Sequence, residues 1–291
     1  MKILLTGGSG FLGWNFCKTL RFKHEITAFY FQHELFLEKC NFYKIDIRNR
    51  DEVFEAVKKI QPEVVVHTAA ITNVQICDQD RDLAYSVNVE GTKNLLDASA
   101  EVGAKFVYIS TDLVYSGDGS FFTEDTKPEP KSYYAQTKLE AEEIVKSYDN
   151  YIILRLALMY GWGNVFTNSF SDWLHTELRA KRKVKVFADQ FRTPIYAVDA
   201  VMAIDELISK DIKNDIFNLG GSERISRYNF ALKFADVFGY PQDLIVPVPM
   251  DSVKTYLAGA KDCSLNISKI QSVLSFKLKN VDEGLNAMKR S

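Results

Sequence analysis

The sequence predicts a doubly wound α/β fold, in which helices cover both faces of a parallel sheet. Two observations support it. The chain opens with a short apolar run, Lys2-Ile-Leu-Leu-Thr6, that leads directly into glycines, and apolar runs then alternate with helical stretches through the first half. Such alternation forms right-handed βαβ units whose strands lie parallel in one sheet. Ligands of these folds bind at the carboxyl ends of the strands.

The first strand is followed by a glycine turn. Its glycines fit both the G-x-G-x-x-G and the G-x-x-G-x-x-G spacing: Gly7, Gly8, Gly10 and Gly13. Glycines at this point permit a tight turn, a close approach of backbone N–H groups to a pyrophosphate, and close packing of helix on strand. A helical stretch from Trp14 to Phe22 follows. Strand, glycines and helix together predict a Rossmann-type nucleotide site.

The remaining elements of the first half follow in order. Strands are predicted near Glu25–Phe31, Phe42–Ile45, Val64–His67, Lys105–Ser110 and Tyr151–Leu156. Helices are predicted from Asn49 or Asp51 to Ile60, over roughly Asp80–Val102, and from the region of Tyr134 to Ser147. The ligand is then expected at the strand ends marked by Gly7, Ala69, Ser110 and Arg155.

After Tyr160, strands and helices no longer alternate regularly. The sequence predicts a helix at Asn168–Lys181, short strands near Lys183–Phe187 and Asp215–Asn218, a helix at Arg227–Phe238, and a proline-rich stretch at Pro241–Pro249. We therefore expect a nucleotide-binding domain over residues 1–160, completed by parts of 188–219. Residues 161–187 and 220–291 are expected to form a smaller, mixed substrate-binding lobe.

Composition narrows the class of protein. With 291 residues, 46% of them hydrophobic and 25% charged, the chain can bury a sizeable core. A net charge of −2 gives no electrostatic reason to expect nucleic acid or an anionic membrane as a partner. No apolar run approaches the ~20 residues of a spanning helix. Because residue 2 already begins a strand, we expect no signal peptide and a cytoplasmic location.

The four cysteines support the same expectation. They show neither metal-ligand spacing nor a disulfide framework: Cys17, Cys40, Cys77 and Cys263. We therefore expect reduced thiols, as in a cytosol, and no metal site.

Tyr134 and Lys138 form a Y-x-x-x-K pair on one helix face. A phenol with a pKa of ~10 is a poor acid–base group at pH 7 until a nearby ammonium stabilises its phenolate. The hydroxyl of Thr111, at the end of a strand, could bond the same substrate oxygen. The pair alone is a weak signal, since solvated helices often carry it, but the glycine turn makes catalysis the favoured interpretation.

These motifs, in this order, resemble the extended short-chain dehydrogenase/reductases. The resemblance covers nearly the whole chain: Thr6-Gly7-x-x-Gly10-x-x-Gly13, Asp46-Ile47, His67-Thr-Ala-Ala70, Asn88-Val-Glu-Gly91-Thr92, Ser110-Thr-Asp112, Tyr134-x-x-x-Lys138 and Arg155-Leu-Ala-Leu-Met-Tyr160-Gly161. Four further stretches resemble the dTDP-4-dehydrorhamnose reductase family: Ala70–Asp78, Ser110–Tyr115, Phe191–Pro194 and Leu265–Lys269. That family reduces the carbon-4 ketone of a deoxysugar nucleotide with a reduced nicotinamide cofactor.

The resemblance implies a role for each cofactor-binding residue. The pyrophosphate would be held by Gly7, Gly10, Phe11 and Leu12. The adenine would be held by Asp46 and Ile47, and the ribose and nicotinamide side would be lined by Ala69 and Ala70. Tyr134 and Lys138 would contact the nicotinamide end as well.

The resemblance also implies the catalytic and substrate contacts. Tyr134 would donate a proton to the carbonyl oxygen, Lys138 would lower the pKa of that tyrosine, and Thr111 would polarise the carbonyl. Asp112 would bond a sugar hydroxyl, and Arg192 could meet the diphosphate or be a solvated loop charge. Leu158 stands where these reductases often carry a substrate-stacking Trp.

Other departures from the family pattern concern the substrate. Gln75 and Asp78 replace the usual acidic pair. Together with Leu158 they leave open which 4-keto sugar nucleotide is bound. Arg155 could be a structural ion-pair partner or a substrate contact, whereas Asn88 is expected to serve structure more than chemistry.

The charge at the end of the second strand bears on the choice between NADP(H) and NAD(H). An NAD-preferring fold usually has an acid at the end of the second strand, where it binds the ribose 2′-hydroxyl. The sequence there is Phe29-Tyr-Phe-Gln-His33, with no acid before Glu34 and no arginine to attract a 2′-phosphate. NADP(H) is favoured, and NAD(H) stays open.

The sequence argues against one other function of the same superfamily and leaves two others open. A sugar-nucleotide dehydratase would have Glu where this chain has Leu113, which argues against that reaction. An epimerase would keep Thr111, Tyr134 and Lys138 and hold its NAD tightly. A regulatory subunit like the beta subunit of methionine adenosyltransferase would share the fold without catalysis. The expected partner of a reductase is a nucleotide-diphosphate sugar, and a homodimer stays open.

Overall fold

The structure is a computed structural model that describes residues 1–167, 169–252 and 260–291. Its strands are β1 Lys2–Thr6, β2 Glu25–Tyr30, β3 Cys40–Lys44, β4 Val64–His67, β5 Lys105–Thr111, β6 Tyr151–Leu156, β7 Met159–Tyr160, β8 Val184–Phe187, β9 Phe191–Arg192, β10 Ile195–Tyr196, β11 Asp215–Leu219, β12 Ile225–Ser226 and β13 Ile245–Val248. Within these residues, a seven-stranded parallel sheet has the order β11-β6-β5-β4-β1-β2-β3. The predicted doubly wound α/β fold is confirmed.

Helices cover both faces of this sheet. The α-helices of the described residues are α1 Phe11–Leu20, α2 Arg50–Ile60, α3 Val74–Gln79, α4 Arg81–Tyr85, α5 Gly91–Glu101, α6 Tyr133–Val145, α7 Phe170–Arg179, α8 Ala197–Ile208, α9 Arg227–Phe238, α10 Ser268–Val273 and α11 Val281–Arg290. Helices α1 and α8 pack on one face, and α2, α5 and α6 pack on the other.

The strands supply side chains to both cores because successive residues point to opposite faces. In β1, Ile3 and Leu5 enter the core beneath α1 and α8, whereas Leu4 enters the core beneath α2 and α5. Burial on both faces explains why the predicted strands read as nearly continuous apolar runs.

Most predicted strands agree with the structure, and α1 is the main difference among the early helices. It begins at Phe11 rather than Trp14. Gly10 is its N-cap, with φ −74° and ψ 172°, so the helix starts inside the glycine motif. The peptide groups of the first helical turn therefore belong to the turn that is predicted to meet a pyrophosphate.

The single helix expected over Asp80–Val102 is divided. A π-helical segment, Ser86–Glu90, separates α4 from α5. π-Helical turns within α-helices frequently mark functional sites. The segment holds Asn88 at the bend.

The second half contains an element that the sequence analysis missed. Helix α8 packs its apolar face, including Val201 and Ile204, against α1 and the sheet. Strand β11, predicted among short strands of the looser half, pairs in parallel with β6 and forms one edge of the main sheet. The predicted helix start at Asn168 lies outside the described residues, and α7 begins at Phe170 after a capping box formed by Ser169 and Asp172.

A separate apolar cluster is formed by helices and strands of the second half of the chain. It contains Leu174 of α7, Phe230 and Phe234 of α9, and Leu285 of α11. Small two-stranded pairs, β7–β10, β8–β13 and β9–β12, lie around it. The division into the two predicted domains stays a prediction, and α10 and the residues after it contribute to the core of the main sheet through Ile270, Leu274 and Leu278.

The described cysteines are free thiols. In the described parts of the chain, no helix combines the length and the apolar character that crossing a bilayer requires.

Candidate active site

A cavity of about 330 Å³ lies at the carboxyl ends of the strands in one half of the sheet. Its walls include most residues predicted to bind the cofactor: Gly7, Gly10, Asp46, Ile47, Ala69 and Ala70. Phe11 and Leu12 are not among the lining residues and form the first turn of α1, where the side chain of Leu12 is buried in the core. We call this space the first cavity.

The glycines of the turn are needed for different structural reasons. Gly7 has φ +69°, and a Cβ there would lie 2.8 Å from the backbone nitrogen of Ala69. A Cβ on Gly13 would lie 2.2 Å from the carbonyl oxygen of Gly7. A Cβ on Gly10 would meet only that same oxygen, at 3.1 Å. Gly7 and Gly13 are therefore required by the fold, whereas Gly10 mainly keeps the cavity wall open.

A buried polar network fixes β1 beside β4. The hydroxyl of Thr6 lies 2.7 Å from Nδ1 of His67 and accepts hydrogen bonds from the backbone N–H groups of Thr68 and Ala69. Nε2 of His67 lies 2.9 Å from the hydroxyl of Thr92. Burial, helped by the charge of Lys138, lowers the pKa of His67 well below its ordinary value. His67 is thus a neutral structural residue.

Asp46 is held by Arg48. Nε and Nη2 of Arg48 donate to the Asp46 carboxylate at 2.9 and 2.6 Å. The hydrogen bonds from Arg48 hold the pKa of Asp46 below its ordinary value. Arg48 itself lines the first cavity. The sequence analysis considered only the residues that follow β2, which contain no arginine, whereas Arg48 reaches the same cavity from the segment after β3.

Tyr134 and Lys138 lie on the buried face of α6. The Ser132 hydroxyl caps this helix by accepting from the backbone N–H of Ala135. Tyr134 is 8% exposed and Lys138 is 3% exposed. Nζ of Lys138 lies 4.1 Å from the ring centroid of Tyr108 on β5, so the helix presses the pair against the strand that ends at Thr111.

Burial sets the protonation of this pair. It raises the pKa of Tyr134, and a hydrogen bond with Thr111 opposes that rise. It lowers the pKa of Lys138 to about 7, and the charge of Glu142 opposes that fall. Tyr134 therefore carries its proton at neutral pH, as a proton donor must, while Lys138 titrates near neutrality.

Arg155 belongs to a buried ion pair. Its Nη2 donates to the Glu142 carboxylate at 2.8 Å, and its Nη1 donates to the Tyr115 hydroxyl at 3.0 Å. Ser110 donates to the same carboxylate at 2.5 Å. These contacts give Arg155 the structural role, tying β6 to α6, rather than the substrate contact.

Asn88 also has a structural role. Its side-chain oxygen accepts from the Ile71 N–H at 2.8 Å, and its nitrogen donates to the Ile71 carbonyl and the Thr137 hydroxyl. The bend in the helix brings this amide to the loop after β4 and to α6 at once. Asn88 thereby fixes the wall of the first cavity against the helix of Tyr134.

A second cavity, of about 480 Å³, is lined by residues that directly follow Thr111 in the chain. It is lined by the predicted substrate residues Asp112, Leu158 and Arg192, and by Gln75, Asp78 and Leu113. Tyr115, at the end of the Ser110–Tyr115 stretch, also lines it. The walls further include residues that the sequence analysis did not single out: Lys131, Ser132, Gln190, Arg227 and Ala260. No local motif marks these residues, because they come from separate loops and helices.

Asp112 and Arg192 form a buried pair in the wall of the second cavity. Asp112 is 5% exposed, and its Oδ2 lies 3.5 Å from Nε of Arg192, too far for a hydrogen bond. Burial raises the pKa of Asp112, and Arg192 and Thr111 oppose the rise. Arg192 also donates to the carbonyl of Ala260 at 3.0 Å. It is therefore a buried anchor, and the alternative of a solvated loop charge was wrong.

Comparison with known proteins identifies the family. The family model described as the RmlD substrate binding domain matches residues 1–291. The chain belongs to this family. The spore coat polysaccharide biosynthesis protein SpsK of Bacillus subtilis (strain 168) is 30% identical over 241 residues, which cover 82% of this chain and 80% of that protein.

A solved structure and a second relative extend the comparison. This RmlD-family chain superposes on the dTDP-4-dehydrorhamnose reductase from Bacillus anthracis str. Ames, solved in complex with NADP, with a TM-score of 0.86. The two are 27% identical, and the match covers 100% of this chain and 99% of that one. The methionine adenosyltransferase 2 subunit beta of Rattus norvegicus is 25% identical over 281 residues, covering 94% of this chain and 82% of that protein.

The resemblance inferred from the motifs is thus confirmed, and the RmlD-family chain is an oxidoreductase of the NAD(P)-dependent class. The individual site residues stay predictions. Their support is geometric. Six of the residues predicted for the cofactor line the first cavity, and Asp112, Leu158 and Arg192 line the second. Thr111, Tyr134 and Lys138 are not among the lining residues, but Tyr134 packs with Ile71 of the first cavity and Leu113 of the second.

Proposed function

We propose that this protein reduces the carbon-4 ketone of a nucleotide-linked 4-keto-deoxysugar with NADPH. The observation that carries the proposal is the position of Tyr134. It belongs to a small apolar cluster whose flanking residues include Ile71, which lines the first cavity, and Leu113, which lines the second. A proton donor at this point is next to both a cofactor and a sugar.

The first cavity fits a dinucleotide. The backbone N–H groups at the start of α1 suit a pyrophosphate, because helix N-termini bind anions. The close approach of Gly13 to Gly7 lets α1 begin directly on this turn. When bound there, NADPH supplies the hydride.

The chain itself supplies the proton and the orientation. Tyr134 holds its proton until negative charge develops on the carbonyl oxygen, and Thr111 donates a second hydrogen bond to the same oxygen. A cationic Lys138 stabilises the phenolate left behind. General acid catalysis of this type contributes ~10²–10⁴-fold.

The second cavity suits a nucleotide-linked sugar because it combines acceptors and cations. Asp112 accepts a hydrogen bond from a sugar hydroxyl, and Arg192 orients that carboxylate. Lys131 and Arg227 add positive charge for the diphosphate. Leu158 offers an apolar surface where a stacking ring is common in the family, so the sugar's identity is open. A cytoplasmic location and a homodimer stay predictions.

The test is a reduction assay. The purified protein is incubated with NADPH and a panel of nucleotide-linked 4-keto sugars, and NADPH consumption is followed by its absorbance. We expect consumption with at least one sugar nucleotide, and none with the Tyr134→Phe variant. If the protein binds NADPH but reduces no member of the panel, the proposal fails.

A regulatory subunit is the second candidate function, because the rat beta subunit of methionine adenosyltransferase 2 is among the relatives. The open, charged second cavity favours the reductase, since a sensor of a nicotinamide nucleotide has no need of it. Absence of nucleotide-sugar binding, together with co-purification of a methionine adenosyltransferase catalytic chain, would favour the regulatory function.

A further inference from the structure

The wall of the first cavity contains an arginine with no assigned role. Arg48 follows β3 and lines the cavity together with Gln32 and His33, which follow β2. Strands β2 and β3 are parallel neighbours, with Phe29 opposite Tyr43. Their carboxyl ends therefore meet at one wall, although the two segments are separate in the sequence.

Arg48 is held in place on two sides. Its Nε and Nη2 donate to Asp46, and its guanidinium carbon lies 5.4 Å from the ring centroid of Phe31. A guanidinium has five N–H donors. The bonds to Asp46 use Nε and Nη2, so the N–H groups of Nη1 remain for a ligand in the cavity.

The pairing also changes what Asp46 can do. A bare carboxylate at this wall would repel a phosphate, or would accept from a ribose 2′-hydroxyl and favour NAD(H). Here both carboxylate oxygens already accept hydrogen bonds from Arg48. Arg48 thus cancels the repulsion and adds a donor.

We propose that Arg48 recognises the 2′-phosphate of NADP(H) and makes the protein prefer NADP(H) to NAD(H). Arginine suits this role because its planar fork forms charge-assisted hydrogen bonds with phosphate oxygens. The inference rests on the proposed function only in that a nicotinamide dinucleotide binds in the first cavity. It does not depend on which sugar is reduced.

The test compares cofactor affinities by calorimetry. NADPH and NADH are titrated into the unaltered protein, Arg48→Ala and Arg50→Ala. Arg50 is the matched control because it is an exposed arginine two positions away that packs on Phe54 and is not among the residues lining the cavity. Arg48→Lys keeps the charge but loses the planar fork.

We expect the unaltered protein to bind NADPH more tightly than NADH. Arg48→Ala should weaken NADPH binding ten- to a hundredfold, roughly the loss of a charge-assisted hydrogen bond. NADH binding should stay the same or become tighter, because the released Asp46 carboxylate can accept from the ribose 2′-hydroxyl. Arg48→Lys should fall between the two, and Arg50→Ala should resemble the unaltered protein.

The proposal is overturned if the unaltered protein binds both cofactors equally or prefers NADH. It is also overturned if Arg48→Ala weakens both cofactors alike, since Arg48 would then serve only to position Asp46. A protein that binds neither cofactor would instead refute the proposed reductase function.

Discussion

The two cavities differ in how the chain builds them. The first cavity consists mainly of residues at the ends of adjacent parallel strands, where the backbone itself forms the site. The second draws single side chains from widely separated segments, from Thr72 to Ala260. A site made by the backbone needs particular residues at fixed spacing, so it leaves a motif. A site made from scattered side chains has no such fixed spacing, and here it was marked only by short stretches that resemble one family.

The difference also concerns charge. In the second cavity, Asp112 and Arg192 are buried and lie opposite each other, whereas Asp78 and Lys131 are exposed. The first cavity has its ion pair, Asp46 and Arg48, in a more exposed position, with side chains 29% and 36% exposed. Exposed pairs are weak and adaptable, whereas breaking a buried pair by removing one partner is costly. Substitutions of Asp112 or Arg192 should therefore affect structure as well as binding.

The largest effect is expected at Tyr134, where the two cavities meet. Tyr134→Phe should lower kcat by ~10²–10⁴ and leave NADPH affinity unchanged, because only the acidic hydroxyl is lost. Single-turnover and steady-state kinetics measure this loss. Tyr133→Phe is the control, since that ring is half-buried beside Arg81 and outside the buried face of α6. A larger loss for Tyr133→Phe would overturn the assignment of the proton donor.

The buried Lys138 allows the cost of burying a cation to be measured. The pKa of Lys138 is about 7 in the folded protein, below the ordinary value for lysine. The unfolded chain therefore binds more protons between these two values, and the free energy of unfolding rises with pH over this window. Below pH 7 the cost is present in full.

Lys138→Met should remove this dependence. The variant should exceed the unaltered protein in free energy of unfolding at pH 6.5, by an amount on the order of a few kcal/mol, and should lose that advantage by about pH 10. Urea denaturation at a series of pH values measures it. A constant difference between the two proteins at every pH would contradict the depressed pKa.

Two substitutions in the glycine turn should affect cofactor binding and stability separately. Gly10→Val should weaken NADPH binding about a hundredfold by keeping backbone N–H groups from the pyrophosphate, with little change in Tm. Gly13→Ala should instead lower Tm, because its Cβ would lie 2.2 Å from the Gly7 carbonyl oxygen. Calorimetric titration and thermal unfolding check the pair. Undiminished NADPH affinity in a folded Gly10→Val protein would refute the cofactor site.

The smallest effects are expected in the second cavity. Asp112→Ala should raise KM for the sugar nucleotide ten- to a hundredfold, the cost of a charge-assisted hydrogen bond, and leave KM for NADPH nearly unchanged. Arg192→Ala should raise the same KM and also lower Tm, since it leaves Asp112 buried without its partner. Steady-state kinetics with each substrate varied in turn would show the split, and an equal rise in both KM values would contradict it.

The sequence alone determined the fold and the first half of the site. Short apolar runs that alternate with helical stretches predicted the parallel sheet, because a strand that is buried on both faces is apolar along nearly its whole length. The glycine turn and the Tyr134–Lys138 spacing depend only on local backbone and helix geometry, so they could be recognised in the sequence without a structure. The position of Asp112, directly after a strand end, was legible for the same reason.

Tertiary structure decided which charges meet. Arg155 is a structural partner of Glu142, Arg192 lies opposite Asp112, and Arg48 shares a wall with residues after β2. The first two depend on contacts between residues far apart in the chain, and the third depends on which strands are neighbours in the sheet. Periodicity and spacing report the environment of each residue along its own element. They do not report the partner across the cavity, and for buried charges the partner determines the role.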